Sequence, residues 1–179
     1  MIVLDLGSGG GVDVFNAANA LHGNGRVIGV DSSMEMVLRA RRTAAEHGYR
    51  NVEFRLGEME CLPIQSASAD VVISNCAVNL VPNKERAFEE MFRVLKPDGT
   101  LLISDIVAKK PLPRSVRDDP GKWAECVSGA PTKRELEKGL NRAGFSSFKV
   151  REEKDWDRHR SKGVALAAIT FSALKPDAR

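Results

Sequence analysis

The stretch that most constrains this chain is Ile2 to Gly11, IVLDLGSGGG, an apolar run that meets an acid and then breaks into glycines. Val3, Leu4 and Leu6 have the character of a strand buried on both faces, and Gly7, Gly9, Gly10 and Gly11 cannot prolong it. The chain must turn there. The helix-compatible VDVFNAANAL that follows lets backbone N–H groups and a helix N-terminus face a ligand at close range. A glycine loop after a strand therefore predicts a ligand cradle. The loop reads G-x-G-x-G rather than the dinucleotide-binding G-x-G-x-x-G, so alone it is a weak signal. Asp31 strengthens it, because it ends a second apolar strand, RVIGV, twenty residues after Gly11. A carboxylate there can accept both ribose hydroxyls of an adenosine.

DxGxGxG followed by an acid at the next strand end resembles the class I methyltransferases that use S-adenosyl-L-methionine. The resemblance implies that Asp5 lies near the methionine amino end of that cofactor, where its negative charge suits an ammonium. RVLKPDGTLLISD is a second point of likeness, since these enzymes often carry LKPGG at that place.

With 179 residues and 42% hydrophobic content, the chain supports one sizeable core, and a single domain over 1–179 is expected. Its net charge of +3 is spread, with Lys and Arg interleaved among Asp and Glu, so nucleic acid is not implied as a partner. The longest apolar run, Val164 to Phe171 broken by Thr170, is strand-length rather than membrane-length, and no secretory leader is read at the N-terminus. The expectation is a soluble, cytoplasmic protein with no membrane partner. Cys61, Cys76 and Cys126 are odd in number and lack a CxxC pair, which argues against a disulfide framework or a structural zinc site. Their thiols are expected to be reduced and available.

The chain then alternates. Val12 to Leu21 reads as a helix ended by Gly23-Asn24-Gly25, and Arg26 to Val30 as a strand. Ser32 or Ser33 caps a helix with Met34, Val37, Leu38 and Ala44 on its apolar face, running to Gly48. Met34 and Met36 read as packing residues ahead of cofactor contacts. Asn51 to Leu56 is a strand closed by Gly57-Glu58-Met59, where Glu58 could accept from the adenine amine or stand as a solvated acid, while Met59 offers backbone. A loop from Cys61 to Ala69 leads into the strand DVVISN, with Cys76 at its end and an irregular apolar loop to Pro82. Lys84 to Leu95 is an amphipathic helix, Lys96 to Gly99 a tight turn, and Thr100 to Val107 a strand. Ala108 to Pro131 holds four prolines without periodicity and reads as a covering loop, with Trp123 and Cys126 its notable side chains. Thr132 and Glu135 form a capping box for a helix to Ala143. Phe145 to Glu153 and Val164 to Ala173 read as strands around a charged turn, DWDRHRSK, completing an antiparallel edge. The fold class is α/β: a doubly wound, Rossmann-like, seven-stranded and mostly parallel sheet with an antiparallel edge strand.

A fold of this kind argues for the cofactor alone, so the substrate must come from the site. His22, His47 and His159 fall on helix ends and a turn, away from the strand ends, and a histidine base is not expected. No Asp-Pro-Pro-Tyr-like sequence follows the fourth strand; Asn75-Cys76-Ala77-Val78-Asn79-Leu80 stands there instead. An isolated free cysteine ordinarily packs as a small hydrophobe. Here, however, Cys76 ends the strand that faces the transferable methyl in this architecture, Cys126 sits in the covering loop, and thiolates bind soft centres while making poor general bases.

DLGSGGGVD, VIGVDSSMEM, NVEFRLGEMECLP, DVVISNCAVNLVPNKERAFEEMFRVLKPDGTLLISDIV and WAECVSGA together resemble the arsenite methyltransferases, from residue 2 to about 148. ISNCAVNL and ECVSGA are the most specific of these, because they correspond to segments carrying two of that family's arsenic-binding cysteines. The resemblance implies that Cys76 and Cys126 hold the arsenic as thiolates, with arsenic as substrate and no structural metal. It implies a cofactor pocket of Asp5, Gly7, Ser8, Gly9, Asp31, Ser32, Gly57, Glu58, Met59 and Asn75. Ser32 departs from the apolar residue usual after the ribose-binding acid, which points to weaker cofactor affinity. The family also carries a further arsenic-binding cysteine and pocket-closing helices before the glycine loop, and a C-terminal extension; none of these falls within the 179 residues. Two sulfurs suit methylarsenite, and arsenite would then borrow a third from glutathione; a thioredoxin-type protein could serve as reductant. Two other readings stay open: a methyltransferase for another small molecule, with the cysteines only packing, and a form that binds cofactor or arsenite without turnover.

Overall fold

The computed structural model describes residues 1–156 and 164–177. The strands are β1 (Ile2–Leu6), β2 (Arg26–Asp31), β3 (Val52–Leu56), β4 (Ala69–Asn75), β5 (Leu95–Ala108), β6 (Ser146–Trp156) and β7 (Leu166–Leu174). The helices are α1 (Val12–Ala20), α2 (Met34–Glu46), α3 (Lys84–Val94), α4 (Arg114–Arg117), α5 (Pro120–Ala124) and α6 (Lys133–Arg142), with a 3-10 turn at Val78–Leu80. They build one seven-stranded sheet in the order β3-β2-β1-β4-β5-β7-β6. The first five strands in that order run parallel; β7 is antiparallel to both β5 and β6. Strand order reverses between β1 and β4, and in open α/β sheets a ligand crevice opens beyond the carboxyl ends of the strands at such a point.

Both faces of the sheet are covered. Leu4, Leu6, Val72, Leu101, Ile103 and Phe171 pack under α3 and α6 residues such as Phe88, Met91 and Leu140. Val3, Val14, Val27, Val37, Ala40 and Phe54 fill the opposite side beneath α1 and α2. This two-sided burial is why the parallel strands read as continuous apolar runs.

Several boundaries differ from the sequence reading, each for a local reason. The Lys96–Gly99 segment belongs to β5 rather than to a separate turn, because Asp98 N donates to the Lys175 carbonyl and Lys175 N to that of Gly99. Its irregularity survives as a register shift against β4 and a positive φ at Asp98. In α2, Val37, Ala40 and Ala44 are buried, whereas Met34 (51% exposed) and Leu38 (52%) face outward, so neither packs as expected. The proline-rich stretch is not structureless. It forms α4 and α5 and closes on a small cluster of its own, in which Leu112, Val116, Val127 and Ala130 meet Ile106 and Leu166. Of the charged turn, Asp155 and Trp156 lie in β6, and 157–163, with His159, are outside the described residues.

The connection from β3 to β4 borders the crevice and is held by one buried acid. Glu90 Oε2 accepts from Leu62 N at 2.8 Å and from Arg93 Nη2 at 2.7 Å, while Arg93 also donates to the Leu62 and Ile64 carbonyls. Removing Glu90 leaves the buried Leu62 N–H without its acceptor, while Arg93, 34% exposed, can turn to water. Glu90→Ala is expected to lose about 2 kcal/mol of stability in chemical denaturation, with a melting point lower by roughly 4–8 °C at this chain length. Glu90→Gln, which keeps an acceptor for Leu62, should lose less.

Candidate functional site

The glycine turn is built by hydrogen bonds to β2. Gly7 N and Ser8 N both donate to the Val30 carbonyl, at 2.8 and 3.1 Å. Asp31 continues the anchoring: its Oδ2 accepts from Gly9 N and its Oδ1 from Ser33 N, each at 2.8 Å. Asp31 thus joins the glycine turn to the start of α2, which makes it a structural acceptor as well as a candidate ribose ligand; each oxygen keeps a second lone pair.

A cleft of about 410 Å³ opens beside this turn, lined on one side by Gly7, Asp31 and Ser32, on another by Gly57, Glu58 and Met59, and on the third by Asn75, Cys76 and Ala77. Eight of the expected residues therefore line one cleft. The glycines are there for close approach: a Cβ on Gly7 would stand 2.3 Å from Ala77 Cβ, and one on Gly57 would stand 2.5 Å from Pro63 Cδ. Four expected residues do not line the cleft: Cys126, which approaches from the covering stretch, and three of the cofactor residues. Gly9 is spent on Asp31, Asp5 is buried below the turn, and Ser8 turns its hydroxyl toward β2, where a Cβ on Gly29 would meet it at 2.7 Å. Cys61, bridged to Glu58, is exposed and also lies off the wall.

Asp5 is 2% exposed, and among the described residues its Oδ2 and the Ser8 hydroxyl have no hydrogen-bond partner. Burial first, then the negative fields of Asp13 and Asp31, push its carboxyl up to about 7. An orphaned buried carboxylate under a side-chain-free turn fits a cationic ligand with an adenosine moiety such as S-adenosyl-L-methionine: the cation supplies the charge that Asp5 lacks, and Asp31 can serve the ribose.

The cysteines converge although fifty residues separate them. Cys126 Sγ donates to the Cys76 carbonyl at 3.4 Å. Both hold left-handed backbone, with φ of 53° and 60°, a strained conformation for a residue with a Cβ. Cys76 is exposed at the end of β4, and Cys126 is half-buried after α5. Burial, then Asp105, raises both thiols, with Asp13 adding at Cys76 and Cys76 adding at Cys126, which reaches about 11. Both therefore carry their protons at neutral pH.

The sequence reading missed Asp105 and Asn79. Asp105 is buried beneath the cysteines, and burial pushes it to about 6 against hydrogen bonds from Ile106 N and Asn79 N. Its signal was an acid inside the mostly apolar LLISDIV; that of Asn79 was a lone amide in an apolar loop. Lys84 also approaches, donating to the Asn79 and Val81 carbonyls and lying 5.5 Å from the Trp123 ring centroid.

Residues 1–144 match the family model described as a methyltransferase domain. The chain is 45% identical over 181 residues to an arsenite methyltransferase of Halobacterium salinarum, covering 97% of this chain and 46% of that protein. It is 37% identical over 153 residues to the Mus musculus arsenite methyltransferase, covering 80% of this chain and 40% of that one. In structure it is similar to a crystal structure of an arsenic(III) S-adenosylmethionine methyltransferase from Chlamydomonas reinhardtii. That likeness has a TM-score of 0.90 at 31% identity, over 100% of this chain and 65% of the other. The chain spans about half the length of the curated relatives it matches.

Asp5 yields a two-sided prediction. The carboxyl, ordinarily near 3.8, titrates in the folded chain at about 7, so between those values the native state holds a proton that the unfolded state has released. Ligand-free stability should therefore fall as pH rises from about 4 to 7, by on the order of 4 kcal/mol if this group acts alone. Asp5→Asn should melt higher than wild type at pH 8, with little difference at pH 4.5. In calorimetry, S-adenosyl-L-methionine affinity should rise between pH 6 and 8 in wild type and lose that pH dependence in Asp5→Asn.

Proposed function

We propose, for a chain that belongs to the methyltransferase-domain family, that it transfers a methyl group from S-adenosyl-L-methionine to trivalent arsenic held by Cys76 and Cys126. The observation that carries this reading is the meeting of two strained cysteines, Sγ of one on the carbonyl of the other, at the rim of the cleft that the glycine turn opens. The exposure of Cys76 also supports it, because a thiol that only packs would be buried.

When bound, the cofactor supplies an electrophilic methyl group on a sulfonium. Asp5 offers negative charge below the turn, Asp31 holds the ribose, and Gly7 and Gly57 let the ligand approach the backbone. Asn75 and Cys76, at the tip of β4, stand where the cofactor cleft meets the cysteine pair. The raised thiols suit neutral exchange with arsenous acid: each S–H bond breaks as an As–S bond forms, and a hydroxide on arsenic leaves with that proton as water. The arsenic lone pair would then attack the methyl carbon as the carbon–sulfur bond of the sulfonium breaks and its electron pair leaves on the thioether product. Arsenic becomes formally pentavalent, to be reduced by thiol, and no proton is lost, so no general base is required. What the protein contributes is orientation and exclusion of water. Glutathione or another small thiol is proposed as third sulfur and reductant.

Cys76→Ser and Cys126→Ser are each expected to lower arsenite methylation by about a hundredfold or more, whereas Cys61→Ser keeps most of it. Products are separated by chromatography after incubation with arsenite, glutathione and labelled cofactor. Arsenite should also protect Cys76 and Cys126 from alkylation; full alkylation in its presence would leave a methyltransferase for a different small molecule.

A further inference from the structure

Asn79 plays no part in the reading above, yet the two cysteine-bearing segments are joined through it. It is 2% exposed and lies in the 3-10 turn that follows Cys76. Its side-chain Nδ2 donates to the Ile106 carbonyl at 2.8 Å and to the Cys126 carbonyl at 3.1 Å. Its backbone N donates to Asp105 Oδ2 at 3.1 Å, and its own carbonyl accepts from Lys84 Nζ at 3.2 Å. The same carbonyl touches the other segment a second time, at Gly129, where a Cβ would stand 1.9 Å away. β5 supplies a fixed reference for both, since Cys76 N donates to the Ser104 carbonyl at 2.9 Å.

We infer that Asn79 is a positioning residue: from the turn after Cys76 it grips the Cys126 carbonyl and so fixes the separation of the two thiols for chelation of one trivalent arsenical. This rests on the proposed role of the cysteine pair. The physical reason is effective concentration. Once one As–S bond has formed, the second is intramolecular, and its advantage depends on how narrowly the second sulfur is held. Replacing Asn79 by alanine removes the donor from the Ile106 and Cys126 carbonyls and lets the segment carrying Cys126 drift, while the chain retains both thiols.

The test uses phenylarsine oxide, whose arsenic keeps one bond to carbon and takes two sulfurs. Two S–H bonds break, two As–S bonds form, and the oxide oxygen leaves with both protons as water, with no change of oxidation state. A Cys61→Ser background leaves Cys76 and Cys126 as the sole thiols of the chain. Asn79→Ala is expected to weaken phenylarsine oxide binding by about tenfold or more. Alkylation of each cysteine by iodoacetamide, which needs one sulfur at a time, should change less than threefold, and calorimetric affinity for S-adenosyl-L-methionine less than twofold. Asn79→Ser, whose side chain is too short to reach both the Ile106 and Cys126 carbonyls, should give the same split and carries the test if Asn79→Ala does not fold. Unchanged phenylarsine oxide affinity in a folded variant overturns the inference, and so does a matching change in alkylation, which would mean general loosening. Cys76→Ser and Cys126→Ser are run beside them. If these bind phenylarsine oxide as tightly as their parent, the cysteine-pair reading itself has failed, whatever Asn79 does.

Discussion

The arrangement depends on a missing side chain. Gly7 ends β1 with φ of 72°, and its α-carbon lies so close to the segment after β4 that a Cβ would be 2.3 Å from that of Ala77 and 3.2 Å from Met59 Cε. Three strand ends can converge there because nothing projects between them. Hydrogen bonds then hold the convergence: Gly7 and Ser8 share the Val30 carbonyl, and Asp31 takes the N–H groups of Gly9 and Ser33. A substituted residue at Gly7 would meet two penalties, a left-handed backbone and an occupied volume.

Around that turn the chain keeps two buried acids poorly compensated. Asp5 lies under the glycine turn and Asp105 under the cysteines, and burial raises both, to about 7 and about 6. They differ in how they are supported. Asp105 accepts from Ile106 and Asn79 and feels Lys84, whereas Oδ2 of Asp5 meets no donor among the described residues. Strain is stored nearby, in the left-handed backbone of Cys76 and Cys126. Features that weaken a resting fold cluster where ligands restore the balance.

The topology puts these two acids on one functional line. The reversal of strand order between β1 and β4 sets the crevice at the tip of β4, and β5, next in order, carries Asp105 beneath the same tip. The proline-rich stretch then returns over β5 and β7 through its own small core, which brings Cys126 to Cys76. Neither cysteine segment is regular structure, so their relative placement is left to side-chain and carbonyl contacts of the kind Asn79 makes.

Much of this was legible in the linear order of residues. Local signals, each spanning only a few positions, were enough for the alternation of strands and helices, the glycine turn and the capping box at Thr132 and Glu135, while the nearness of Cys76 and Cys126 was expected from a resemblance. What the sequence alone could not decide were the quantities that depend on long-range approach. These include the outward turn of Met34 and Leu38, the burial that raises Asp5 and both thiols, the use of Asp31 as a loop anchor, and the bond from Asn79 to a carbonyl 47 residues away. Periodicity reports which face of a helix is apolar, but not how far the neighbouring element extends to cover it. A residue's type sets its ordinary acidity, whereas desolvation and the field of distant charges exist only once the chain has closed around it.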